Sequence, residues 1–280
     1  MSSFQLGGHY LRSALFLAHA SYVAYEENPE SYKDFQNFHF DNVIPFASEK
    51  SKDNEATRGF LAERGDEIVL AFRGTDTNEG ILEDWAINLK CLQIQDNGAN
   101  VHKGFIQALN SVWNKINEPL EKMVEQKKRR IWITGHSLGG ALATLATRRL
   151  LLNEQMKQIE TYTFGQPMVG NKAMCQQTIS PFSTFYRFAY ASDPVTFVPF
   201  RVPKVMDYTH AGTPKLIDAT GRVHEDASNW FTRLFVGYKT IKQITNDLFG
   251  NDLRTFVHKR IKDHLLPNYV EKIAQAIQNG

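Results

Sequence analysis

Apolar residues recur along this chain in two rhythms, one helical and one alternating. Leu11, Leu15, Ala18, Tyr22 and Tyr25 fall at helical spacing and predict an amphipathic packed helix. A polar stretch over 26–55 follows, with Pro29 and Pro45 as breakers. Residues 57–61 and 67–72 read as two strands across Arg64-Gly65-Asp66, a hairpin turn. A helix is predicted over 104–125, interrupted at Pro119, and then a strand over 131–134. A sharp turn over 135–139 leads into a long helix ending at Leu152. Strands at 161–164 and 184–191 come next, the second closed by Asp193-Pro194. Residues 208–210 and 215–218 read as a hairpin around Gly212, and 230–249 and 255–280 as helical. Strands alternating with helices predict a single α/β domain, its mainly parallel central sheet covered by helices on both faces.

Composition narrows the partners. Hydrophobic residues make up 42% and charged residues 22% of the 280, ordinary values for a globular chain that buries a sizeable core. The net charge of +2, from 32 basic and 30 acidic residues, excludes the basic footprint of a nucleic-acid binder. The run Lys127-Lys128-Arg129-Arg130 reads as a solvated helix end, with contact to anionic lipid as the alternative. No apolar run reaches the length of about 18 residues that a membrane helix requires. Arg12 followed by apolar 14–18 imitates a signal peptide, but His19 interrupts the run and the packed helix is the favoured reading. Cys91 and Cys175 allow one disulfide without demanding it, and free thiols are expected. With no N-x-[ST] sequon, these features favour the cytoplasm and leave signal-independent secretion open.

The chemistry concentrates at Gly135-His136-Ser137-Leu138-Gly139, a G-x-S-x-G between an apolar strand and an Ala-rich helix. A tight strand-to-helix turn crowds the backbone, so side chains at Gly135 or Gly139 would collide with their neighbours. The turn lifts the Ser137 hydroxyl clear of the sheet, at the positive pole of the following helix. A serine hydroxyl needs a base, and the base needs an acid to orient it. In such turns the chain order is Ser, acid, His. Asp193, directly after a strong strand, is the candidate acid, with Asp218 in reserve. Of His210, His224, His258 and His264, the last sits where the final helix begins and is the favoured base; His258 is its main competitor. The N–H of Leu138 and the N–H of Thr75, after Phe72-Arg73-Gly74, are the candidate oxyanion donors. A helix-capping role is the alternative for Thr75. His136 reads as a packing residue. No clustered Cys/His spacing calls for a metal, and no cofactor is expected.

Several ordered motifs together resemble the class 3 lipases, the family of fungal triacylglycerol lipases and their bacterial and plant relatives. Phe72-Arg73-Gly74-Thr75 is similar to that family's F-R-G-[ST], and Val101-His102-Lys103-Gly104-Phe105 to its V-H-x-G-F. Gly135 to Gly140 reads G-H-S-L-G-G, and Phe164-Gly165-Gln166-Pro167 with Val169-Gly170-Asn171 resembles F-G-x-P-x-V-G-N. Asp193-Pro194-Val195 with Pro199 resembles the segment bearing the acid, and Asp263-His264 with Tyr269 the segment bearing the base. The resemblance implies an α/β-hydrolase fold and a Ser137–His264–Asp193 triad acting on lipid esters. It also implies a non-catalytic strand histidine at His210 and a mobile lid over 76–95, where Ile81, Leu82, Trp85 and Leu89 share a helical face. A helix packed permanently in the core fits that face equally well. Met168 departs from the family's usual Arg, and the stretch over 221–262 is longer than in the compact fungal enzymes. Within it, 222–262 reads as a helical insertion or cap with an apolar stripe from Phe231 to Leu248. Triacylglycerol or a related acylglycerol is the implied substrate, phospholipids cut at the sn-1 ester and short soluble esters being alternatives. The implied partner surface is a membrane or lipid droplet. A catalytically silent, lipase-like binding protein is the rival from another class.

Overall fold

Side chains that alternate between two apolar clusters dictate the layering. In β3 (Glu67–Phe72), Ile68, Leu70 and Phe72 enter one cluster while Val69 and Ala71 enter the other. In β6 (Arg130–His136), Ile131 and Ile133 join the first and Trp132 the second. Strands apolar on both faces need cover on both. Helices α2 (Lys103–Asn110), α3 (Trp113–Gln126) and α4 (Leu138–Leu152) supply it on one side. On the other side lie α1 (Tyr10–Val23) and α6 (Leu266–Asn279), and α5 is a short helix over Lys172–Gln176. This computed structural model describes residues 6–7, 9–49, 56–75, 82, 86, 92–153, 156, 158–190, 193–199, 207–218, 220–224, 257–258 and 260–279.

Among the described residues the main sheet has eight strands. Their order is β1 (Asn42–Ala47), β2 (Arg58–Arg64), β3, β6, β7 (Ile159–Phe164), β8 (Thr184–Tyr190), β9 (Thr213–Ile217) and β10 (Val223–His224). From β3 to β9 every neighbouring pair is parallel, and the antiparallel pairs sit at the two edges. A separate hairpin joins β4 (Gln93–Asp96) to β5 (Ala99–His102). The fold is the expected α/β-hydrolase architecture.

Several elements differ from the sequence expectation, each for a physical reason. The polar stretch over 26–55 contains β1, and Pro45 is tolerated there because β1 is an edge strand. The helix over 104–125 breaks at Ser111-Val112 and not at Pro119, which lies inside α3. Ser111 turns its hydroxyl back onto Ala108 O, and Val112 has left the helical region at φ −121° and ψ −4°. The hairpin around Gly212 is absent: β9 pairs with β10, and Thr209 bridges to Gly170. Asp218 builds the real turn, accepting from Thr220 N and Arg222 N. Helix α1 is buried nearly all round, not amphipathic, because α6 and the sheet enclose it. Of the lid segment 76–95, Leu82 and Ala86 are helical and buried, and 93–95 belong to β4; Trp85 and Leu89 lie outside the described residues. Of the insertion 222–262, residues 223–224 form β10 rather than helix, and the stripe from Phe231 to Leu248 lies outside the described residues. The basic run lies beyond the end of α3 and its last residue opens β6; Lys127, Arg129 and Arg130 pair with Asp66, Glu63 and Glu160.

Helix α4 is seated hard against the end of β3, and that contact positions everything that follows. A Cβ on Gly139 would lie 2.3 Å from the Phe72 carbonyl oxygen and 2.9 Å from that of Arg73, both backbone atoms with no freedom to retreat. Gly139→Ala is therefore expected to lose about 3 kcal/mol of stability, at the upper end of overpacking costs. Urea denaturation measures it, and an unchanged midpoint would contradict this seating.

Candidate active site

The turn from β6 into α4 holds Ser137 at φ 58° and ψ −126°, a conformation non-glycine residues rarely adopt and that costs on the order of 1–3 kcal/mol. Three main-chain bonds keep it there. Ser137 N–H donates to Phe164 O at 3.0 Å, and Ser137 O accepts from Gly140 N at 2.9 Å and Ala141 N at 3.2 Å. Gly135 is as crowded as Gly139: its Cβ would fall 2.2 Å from Gly139 O. The Ser137 side chain is fully buried, and its Oγ has no hydrogen-bond partner.

Asp193 emerges two strands further along the sheet, after β8, and caps the 3-10 turn Pro194–Phe197. Its Oδ1 accepts from Val195 N at 2.8 Å. Its Oδ2 accepts from His264 Nδ1 at 2.8 Å and from the Tyr269 hydroxyl at 2.6 Å. Three donors compensate a carboxylate with no exposure at all, which without them would be costly to bury. Burial, and then the Asp193 carboxylate, raise the Tyr269 phenol well above its usual range, so it remains a donor. Tyr269 also accepts from Tyr190 N at 2.9 Å, tying the last helix to the end of β8.

His264 ends the 3-10 turn Ile261–His264 and is fully buried. With Nδ1 committed to Asp193, Nε2 carries the lone pair and has no partner. Gly165 lies against the pair: a Cβ there would be 2.8 Å from Asp193 Oδ2 and 2.8 Å from His264 Nδ1. The neighbouring Phe164 carbonyl holds Ser137 N–H, so one short segment touches all three predicted residues. The structure thus brings Asp193 and His264 into direct contact and places Ser137 beside them.

Thr75 follows the end of β3, buried, with its Oγ1 unpartnered. Its predecessor Gly74 packs on the turn, where a Cβ would meet Ser137 Cβ at 3.2 Å and His136 O at 2.6 Å. Leu138 opens α4, and N–H groups in a helix's first turn have no intrahelical acceptor. The competing candidates go elsewhere. Asp218 faces His224 at 2.6 Å in the β9–β10 turn; burial opposes its charge, but bonds from Thr220, His224 and Arg222 outweigh this and bring its pKa down to about 2. His258 is exposed. His210 is half-buried and donates Nε2–H to Thr196 O at 2.7 Å, bracing the turn that follows Asp193. Cys175 is a free, buried thiol, and Cys91 lies outside the described residues.

His136 is more than packing. Its ring lies against that of His264, tilted by 31° with centroids 4.5 Å apart, its Nε2 lies 2.7 Å from His264 O, and its Nδ1 lies 2.8 Å from the Tyr25 hydroxyl. Tyr25 carried no sequence signal for this role, since its spacing reads as one more core position of the first helix.

Burial lowers the pKa of both His136 and His210 well below the ordinary value; the positive forms of His264 and Arg187 respectively add to the effect. Each therefore stays neutral in the fold while its unfolded counterpart protonates near pH 6.5. The unfolded state binds the extra proton, so stability present above about pH 6.5 is lost as pH falls. His210→Gln, which keeps a donor toward Thr196, is expected to flatten stability against pH between about 6.5 and 5.5 by roughly 1 kcal/mol over that unit. Urea titrations at stepped pH read this slope, and a parallel slope in the variant would refute the neutral assignment.

Comparison with known proteins follows the geometry. The profile of the lipase (class 3) family matches residues 69–202, which include Thr75, Ser137 and Asp193. A lipase of Rhizopus niveus is 30% identical over 185 residues, covering 62% of this chain and 47% of the relative. A secreted mono- and diacylglycerol lipase of Fusarium solani is 29% identical over 157 residues, covering 54% and 44%. The chain thus spans about half the length of the curated relatives it matches. Among solved structures, the LIP2 lipase of Yarrowia lipolytica superposes with a TM-score of 0.61 at 26% identity, over 79% of this chain and 82% of that one. Family profile, relatives and fold agree in the resemblance they give, and the chain is similar to the class 3 lipases.

Proposed function

We propose that this protein is a serine hydrolase that cleaves carboxylic esters of lipids, with Ser137 as nucleophile, His264 as base, Asp193 as orienting acid, and the N–H groups of Leu138 and Thr75 as oxyanion donors. One observation carries the reading. Ser137 Oγ and His264 Nε2 are both buried without partners beside the same glycine segment, while His264 Nδ1 is committed to a buried carboxylate. Unpaired buried polar atoms are rare and ask for an explanation. A hydroxyl and an imidazole that pair when substrate enters supply one, and such bonds are often loose in the free enzyme.

The reaction follows from these roles. His264 Nε2 takes the Ser137 proton as Oγ adds to the ester carbonyl carbon. The carbonyl oxygen gains negative charge and is held by donors already fixed in place, each worth on the order of 10²–10³ in turnover. Asp193 stabilises the imidazolium, which hands its proton to the departing alcohol as the C–O bond breaks. Water then adds to the acyl-serine, giving its proton to His264, and the acid product leaves as Ser137 regains that proton. The curated relatives named above act on acylglycerols or bear the plain name lipase, which supports an acylglycerol as substrate.

The segment 76–95 follows the oxyanion loop directly; of its described residues Leu82 and Ala86 are buried, while Leu92 and Ile94 are exposed. This supports a lid that withdraws at a lipid surface. The expected outcome is a rise in rate as an acylglycerol passes its aggregation threshold; a rate that tracks total ester concentration would dismiss the lid. For the chemistry, a fluorophosphonate probe should label the wild type and leave Ser137→Ala unlabelled, with ester turnover falling at least about 10⁴-fold. A folded wild type that neither labels nor turns over any member of a chain-length and head-group ester panel would point to a silent binding protein instead.

A further inference from the structure

Four atoms form a line into the base of the site: the Tyr25 hydroxyl, His136 Nδ1, His136 Nε2 and the main-chain oxygen of His264. A carbonyl oxygen has no hydrogen to give, so the proton in its 2.7 Å contact with His136 belongs to Nε2. In a neutral imidazole Nδ1 is then the acceptor, and the Tyr25 hydroxyl, 2.8 Å away, is the donor. We infer that Tyr25 is a positioning residue whose hydroxyl holds His136 in its Nε2–H tautomer, so that His136 clamps the backbone of His264 and fixes the height of the base above Ser137. The inference rests on the serine hydrolase reading proposed above.

Local geometry shows why a clamp is needed there. His264 ends a single 3-10 turn, and Leu265 beyond it is extended at φ −62° and ψ 133°. Carbonyls at such an end lack a partner within the helix. This one is satisfied by a side chain 128 residues away, itself joined to the nucleophile by one peptide bond. With the proton moved to Nδ1, the Nε2 lone pair would face the carbonyl oxygen at 2.7 Å and push the two apart. The two adjacent rings, 4.5 Å between centroids, would shift with them. Keeping His136 neutral also spares His264 a like charge when it takes up the Ser137 proton, and burial acts in the same direction.

Room for the hydroxyl is built in. A Cβ on Gly74 would lie 2.2 Å from the Tyr25 oxygen, so the oxyanion loop leaves space for it. The Arg73 guanidinium sits 6.0 Å from the centre of the Tyr25 ring. Tyr25 therefore touches the loop bearing Thr75 and, through His136, both the nucleophile turn and the base.

Tyr25→Phe removes the donor and keeps the ring. Turnover is to be normalised to sites counted by stoichiometric fluorophosphonate labelling, which removes any misfolded fraction. The expected result is a roughly tenfold lower kcat per site at unchanged KM, the effect of one buried hydrogen bond felt in the transition state. Long-range proton–nitrogen spectra of the imidazoles should show His136 protonated at Nε2 in the wild type and a mixture of tautomers in the variant. His136→Phe abolishes both ends of the line, so adding Tyr25→Phe to it should cost nothing further. An unchanged kcat per site, multiplying penalties in the double variant, or a wild-type His136 protonated at Nδ1 would each overturn the inference. Should the wild type neither label nor turn over esters, the hydrolase reading fails by itself. The spectrum then decides the tautomer lock alone, with Nε2–H in the wild type lost in Tyr25→Phe supporting it and any other pattern refuting it. If His136→Phe does not fold, the spectrum and the Tyr25→Phe kinetics still decide.

Discussion

A strained backbone at Ser137 is the constraint on which the rest of this structure depends. A residue with a side chain at φ 58° and ψ −126° persists only where its surroundings leave no alternative. Here the constraint comes from two sides. Helix α4 is pressed onto the end of β3 with no space for a methyl group at Gly139, and β7 captures the Ser137 N–H through Phe164 O. The parallel register that pairs Phe72 with Gly135 and His136 with Phe164 carries this load into the sheet. Tight packing of backbone against backbone therefore does what side-chain contacts could not, because side chains yield and carbonyls in a ladder do not.

Polar groups around the turn follow one economy of protons. Asp193 is buried with three donors, which compensate its charge. His136 is held neutral between one donor and one acceptor. Tyr269, with a phenol raised by burial and by the carboxylate, donates and does not compete for the charge. The bonds around His264 thus leave Nε2 as its free proton-accepting position. An arrangement in which each neighbour has one fixed donor or acceptor role leaves the reacting pair as the place where a proton can move.

Much of this was legible in the chain, and the limits are instructive. Strands β3, β6, β7 and β8 were readable because a buried parallel strand is a short apolar run bounded by turn residues, and Ser137 because the G-x-S-x-G fell between two such unmistakable elements. Asp193 and His264 required more than local pattern: chain order and resemblance selected them, and 71 residues separate the two ends of their bond. Edge elements were hidden. β1 carries a proline, and β4 with β5 is polar along its outer faces although Asn97-Gly98 is a hairpin turn sequence, with both residues at positive φ. Helix α1 was visible as a helix, but that it is buried nearly all round depends on α6, which arrives more than two hundred positions later.

Tyr25 shows why such information escapes local reading. Its place just past α1 is set by a helical rhythm that any core residue would satisfy, and its hydroxyl acquires meaning only from His136, 111 positions away. The packing of α1 against β6 is what brings them together. This gives the first helix two tasks with different tolerances. Its apolar face needs only volume and shape, and cores accept many such residues. Its C-terminal end must deliver one oxygen within hydrogen-bond reach of one ring nitrogen, which no change of residue type preserves. A helix that looked like cover for the sheet is thereby also a structural arm of the site, and the rigidity of its buried body is what lets it hold that oxygen in place.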